Sequence, residues 1–147
     1  MQAADFIQRL HTCRYLLTRY DDYHQPYKAP LWIRGTLAFS QHDGYLRQTE
    51  TGRYEHKQRE ISTHNCYQWR VIGSSLQLSH CRQSLDTPIG LTTFDCDHPP
   101  PWQGQPHHCG EDIYEVQIEL QNSAIRLIWQ VSGPTKNYQL TTDYNRL

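Results

Sequence analysis

The chain has 147 residues, with 14 basic against 15 acidic side chains and a formal net charge of -1. That length supports one domain with a real hydrophobic core, and near-neutral charge with a 37% hydrophobic fraction argues against intrinsic disorder. The charge balance supplies no global drive toward nucleic acid or an anionic membrane, so neither is expected as a partner.

Ten tyrosines and four tryptophans suit strands and walls that are neither fully dry nor fully wet, because both rings bury apolar area yet keep a polar atom. The cysteines, Cys13, Cys66, Cys81, Cys96 and Cys109, are odd in number and scattered, which is not a disulfide framework. Met1 to Leu10 has no basic region and carries Asp5 and Arg9, unlike a signal peptide. No apolar run approaches the roughly 18 residues of a membrane span. A reducing cytoplasm is the expected compartment, with the protein a monomer or homodimer.

Phe6, Leu10, Cys13 and Leu17 recur at helical spacing, predicting a short helix from about Asp5 to Arg14 and a strand from Tyr15. Asp21 to Pro30, charged and with two prolines, reads as a loop. From Leu31 the period becomes two: Leu31, Ile33, Gly35, Leu37 and Phe39 share one face of a strand. His42-Asp43-Gly44 is a turn. Tyr45 to Thr51 and Tyr54 to Ile61 read as two strands around Thr51-Gly52. Tyr67, Trp69 and Val71 mark the next strand; Leu76, Leu78, His80 and Arg82 share a face of the one after it, and Ile89 to Phe94 form another. Asp95 to Pro106, with its run of prolines, cannot be a central strand and reads as an excursion over an end of the fold. Three strands then alternate clearly through Tyr114 to Leu120, Ile125 to Val131 and Tyr138 to Tyr144, with turns at Asn122-Ser123 and Gly133-Pro134. The sum is an all-β, single antiparallel barrel of about 8 to 10 strands with a short N-terminal helix, spanning residues 1–147.

Parity extends the inward faces to their polar members. Asp112 joins Tyr114; Lys136, Tyr144 and Arg146 join Tyr138; His80 and Arg82 join Leu78; Tyr67 and Trp69 share a face, and Trp129 points inward from the middle strand of the meander. Asp112 can pair with only one of these cations, so the surplus suits a carboxylate or phosphate, with tyrosine hydroxyls as further donors.

His107-His108-Cys109-Gly110-Glu111-Asp112 is the densest reactive run. His107 or His108 near Asp112 would make a general base, and Cys109 beside an imidazolium a nucleophile. Cys96, His98, His107 or His108, and Cys109 include enough donors for zinc, although the spacing matches no standard motif and the plainer reading is a solvated loop.

The runs His107-x-Cys109-Gly110-x-Asp112-x-Tyr114, Trp129-x-Val131-x-Gly133-Pro134-x-Lys136-x-Tyr138 and Thr142-x-Tyr144-x-Arg146 resemble the C-terminal signature of an uncharacterised family of short lipocalin-like, or calycin-like, barrel proteins. Gly35, Glu50-x-Gly52 and Tyr67-x-Trp69 resemble it more loosely. The resemblance implies a barrel with an interior pocket and no particular substrate or cofactor. Leu10 to Leu17 lacks the Gly-x-Trp element of lipocalins, which leaves Arg146 between sealing the barrel and holding a ligand.

The leading functional expectation is a pocket for an anionic, partly apolar small molecule, lined by Tyr67, Trp69, His80, Asp112, Tyr114, Trp129, Lys136, Tyr138, Tyr144 and Arg146. The alternatives are a small isomerase, cyclase or lyase using Asp112 with a histidine, and a metal-binding protein through the Cys96–Cys109 loop.

Overall fold

The structure, a computed structural model, describes residues 1–81 and 89–147. Helix α1 (Ala3–His11) precedes β1 (Tyr15–Asp22), β2 (Leu31–His42), β3 (Tyr45–His56), β4 (Arg59–Ile72), β5 (Ser75–His80), β6 (Ile89–Asp95), β7 (Trp102–Gln103), β8 (His107–Cys109), β9 (Asp112–Leu120), β10 (Ala124–Ser132) and β11 (Asn137–Asn145). The strand order is β6-β5-β4-β3-β2-β1-β11-β10-β9-β7, with β8 paired to β9. Neighbours run antiparallel, and β11 returns to β1 in register from Tyr15↔Asn145 to Asp22↔Tyr138. The ends of this order, β6 and β7, meet at a bridge between Phe94 and Gly104, giving a nearly closed barrel.

That closure comes from the proline-rich stretch expected to lie outside the wall. Trp102 pairs with Ile118 and Gln103 with Gln117, while the Gln105 N–H donates to Thr93 O at 3.1 Å. Pro101 and Pro106 flank the paired residues, so no proline has to donate within the ladder. Gly104 lets the wall close: a Cβ there would collide with Thr92, Val116 and Phe94.

Ala3, Phe6 and Leu10 share the buried face of α1, which plugs one end of the barrel. The Phe6 ring lies 5.3 Å from that of Trp69 and 5.8 Å from that of Trp102. The helix begins at Ala3 rather than Asp5, and the Asp5 carboxylate accepts the Gln2 N–H at 2.9 Å in a capping box. Arg9 ties the last turn to the β9–β10 connection by donating to Gln121 O and, at 3.1 Å, to Ala124 O. The helix ends at His11 rather than Arg14, because the Arg14 N–H is already committed to Asn145 O at 2.8 Å.

A second correction concerns Thr51-Gly52. β3 runs straight through it, and the chain reverses at Lys57-Gln58, whose φ of 51° and 63° provide the left-handed pair of a tight hairpin turn. Gly52 pairs with Gly35 across the β2–β3 ladder, where a Cβ on Gly35 would strike the Thr51 carbonyl oxygen. The glycines serve close approach of two backbones, not reversal.

The C-terminal meander forms as its alternation predicts, with Trp129 opposite both Val116 and Leu140, and Val131 opposite both Tyr114 and Tyr138. Arg82 lies outside the described residues. No helix among the described residues is long and apolar enough to cross a membrane.

Candidate functional site

At the end opposite α1, strands β4, β5, β6, β9, β10 and β11 surround a cavity of about 250 Å³. Its walls are Asn65 and Tyr67 from β4, His80 from β5, Leu91 from β6, Tyr114 from β9, Trp129 and Val131 from β10, and Tyr138 and Leu140 from β11. Five residues singled out in the sequence, Tyr67, His80, Tyr114, Trp129 and Tyr138, therefore converge on one space. A larger groove of about 590 Å³ runs over Gly35 and Gly52 with Arg34 and Arg53 on its sides. Arg34 and Arg53 are solvent-exposed, and none of the residues expected to line the pocket borders that groove.

Asp112 and Lys136 sit beside the cavity and pair with each other, Nζ to Oδ2 3.0 Å. Lys136 also donates to the Tyr114 hydroxyl at 3.3 Å. The Asp112 hydrogen bond, and after it the Tyr114 one, raise the Lys136 ammonium above its ordinary range. Gly133 in the β10–β11 turn makes room for this pair, since a Cβ there would collide with Asp112 Oδ1. Gly133→Ala is therefore expected to push Asp112 off Lys136 while the barrel stays folded. An amine-labelling time course should show Lys136 reacting faster in that variant than in the wild type; equal rates would mean the turn does not hold the pair.

Trp69 and Tyr144 point inward but lie deeper than the cavity. The Trp69 indole N–H donates to Gln48 Oε1 at 2.9 Å, and Gln48 Nε2 donates to Glu50 Oε2 at 2.7 Å. Tyr144 OH donates to the same carboxyl oxygen, and the Asn65 side chain is a further hydrogen-bond partner of Glu50. Desolvation pushes the Glu50 carboxyl up against these opposing hydrogen bonds, and none of the partners carries a positive charge. Burial, and after it the Glu50 carboxyl, likewise hold the Tyr67 and Tyr144 phenols above their usual range. Asn65 belongs both to this network and to the cavity wall, so the network forms the support beneath the pocket. Gln48, Glu50 and Asn65 were not among the residues expected at the site, although Glu50 belongs to the family-like Glu50-x-Gly52 run. Their signal was present: Gln48 and Glu50 share the parity of buried Leu46 on β3.

Arg146 does not face the interior. β11 ends at Asn145, and Arg146 is exposed at the α1 end, where its charge draws the Cys13 thiol downward against the larger upward effect of burial. Parity carries a side chain inward only while the ladder continues. Among the described residues, then, Arg146 lies outside and Lys136 is compensated by Asp112, so neither is a surplus inward cation.

The catalytic and metal alternatives also separate in space. His107 pairs with Tyr114 across β8–β9, with ring centroids 6.1 Å apart, and Asp112 gives its carboxylate to Lys136 instead. His108 and Cys109 are exposed. Cys96 lies buried near the plugged end, its N–H on Ser74 O at 3.0 Å and its thiol pushed to about 11, first by burial and then by Asp95 and Asp97. Cys109 sits near the open end, opposite Asp112. His98 Nδ1 contacts its neighbour's carbonyl, Pro99 O, at 3.0 Å. Among the described residues no three His, Cys, Asp or Glu side chains gather as metal ligands.

Fold and cavity together define a nearly closed antiparallel barrel, plugged by a helix at one end and aromatic-walled at the other. The chain belongs to the DUF6314 family, a family of unknown function, matched over residues 12–146. No curated protein and no solved structure is significantly similar to it.

Proposed function

We propose that the protein is a small-molecule-binding barrel, whose ligand enters the end opposite α1 and lies among Trp129, Tyr138, Tyr67 and Tyr114. The observation that carries this reading is the convergence of aromatic and polar side chains from six strands on one concave space. The cavity volume of about 250 Å³ lies just below the ~300–1,000 Å³ of drug-sized sites, which favours a compact ligand. Leu91, Val131 and Leu140 provide apolar walls for a flat ring, and the three phenols, His80 and Asn65 provide a donor-rich edge. No carboxylate lines the cavity among the described residues, so the edge suits a ligand bearing acceptor oxygens, a carboxylate included. The lipocalin-like resemblance points the same way, since such barrels hold small ligands inside.

Native mass spectrometry of the protein as purified, set against its denatured mass, tests the reading. A bound small molecule is expected as added mass. Trp129→Leu and Tyr138→Leu should each weaken its binding about tenfold, the scale of an aromatic contact. Retention of the same mass at the same occupancy in both variants would place the ligand elsewhere.

A further inference from the structure

The Lys136–Tyr114 contact fixes which way the phenol points its proton. An ammonium donates and never accepts, so in the 3.3 Å contact the Tyr114 oxygen accepts from Lys136 Nζ. The Tyr114 O–H is then left for a different acceptor, and it donates to no described residue. Tyr114 lines the cavity, which is the space left for that O–H to address. Behind it, Asp112 at 3.0 Å holds the ammonium in place, and Gly133 leaves room for Asp112. A phenol whose oxygen already accepts from a cation is a stronger donor through its own O–H, because successive hydrogen bonds polarise one another.

We propose that Tyr114, polarised from behind by Lys136, is the oxyanion-holding group of the cavity, and that the ligand is a planar weak acid bound through its ionised oxygen, of the phenolate or carboxylate class. The proposal rests on the cavity being a ligand site. Charge-assisted O–H···O⁻ bonds are short and roughly twice as strong as neutral ones, so the site prefers the ionised form over the neutral acid. Trp129 and Tyr138 supply the faces for the ring, and Asn65 and His80 the remaining polar edge.

4-Nitrophenol tests this directly, because its ionisation is visible in its absorbance, and 4-nitroanisole is its neutral match. Both probes are expected to quench tryptophan fluorescence on entering the cavity. The bound nitrophenol should ionise about one pH unit lower than the free probe, roughly a tenfold preference for phenolate. Tyr114→Phe and Lys136→Met should each remove that shift while quenching persists. Because Lys136→Met leaves Asp112 unpaired, the Asp112→Asn/Lys136→Met double variant repeats the measurement with no orphaned charge, and thermal melts confirm folding. Binding of nitrophenol with unchanged or raised ionisation, or a shift that survives Tyr114→Phe, overturns the oxyanion role and leaves the cavity reading intact. Absence of quenching by both probes overturns the cavity reading and this proposal with it.

Discussion

Replacing Glu50 with alanine is expected to cost the fold about 3–5 kcal/mol, whereas glutamine is expected to be tolerated and to change how stability responds to pH. Alanine removes the acceptor that holds Gln48 Nε2 and Tyr144 OH, and both donors would be left buried. Each such orphan costs about 1–3 kcal/mol. Glutamine keeps one oxygen for those donors and fills the same space. The pH effect follows from the raised carboxyl. Unfolded, Glu50 ionises near its ordinary 4.5; folded, desolvation first of all keeps the proton on to higher pH. Between those two values the unfolded state binds fewer protons, so this group makes stability fall as pH rises, by at most about 1.4 kcal/mol per pH unit. Below about 4.5 both states hold the proton and the effect vanishes. Thermal melts from acid to neutral pH should show the wild type losing stability relative to Glu50→Gln. A difference between the two that does not change with pH would show that burial does not raise the Glu50 carboxyl.

Trp69→Ala is expected to be comparably severe. Trp69 is 1% exposed, packs against Phe6 of the plug and satisfies Gln48 through its indole N–H. Truncating a buried aromatic costs about 3–5 kcal/mol. At about 2–4 °C per kcal/mol for a domain of this size, the melting temperature should drop by roughly 10–15 °C. Trp32→Ala is the control, since Trp32 is 46% exposed and its contact is the Arg19 guanidinium 5.9 Å from the ring. It should shift stability by less than about 1 kcal/mol. Equal losses for the two variants would mean that α1 does not seal the barrel through Trp69.

The two variants probe different depths of one device. Trp69 connects the plug to Gln48, Gln48 to Glu50, and Glu50 to Asn65 in the cavity wall. Packing at the closed end therefore bears on the polar support under the open one. Lys136, Asp112 and Tyr114 form a separate cluster at the mouth.

Much of the cavity was readable from residue spacing. Alternation alone put Tyr114, Trp129 and Tyr138 on inward faces, and the same rule placed Tyr67 and His80, because a strand sends successive side chains to opposite faces whatever the rest of the chain does. The short-turn meander of β9, β10 and β11 was equally legible, its partners being neighbours in sequence. Alternation is a local rule, however, and it carries no information about where a ladder stops or what lies across the barrel. It sent Arg146 inward although the ladder ends at Asn145. It could not foresee that Glu50 and Tyr144, 94 residues apart, would share a hydrogen bond. Nor could it foresee that Trp102 and Gly104 would leave a proline-rich stretch to close the wall between β6 and β9. Those outcomes depend on register and closure, which are set by which distant strands pair. Spacing could thus name the aromatic lining of a pocket, while the long-range pairing of strands decided the buried carboxyl beneath it and the closure of the wall around it.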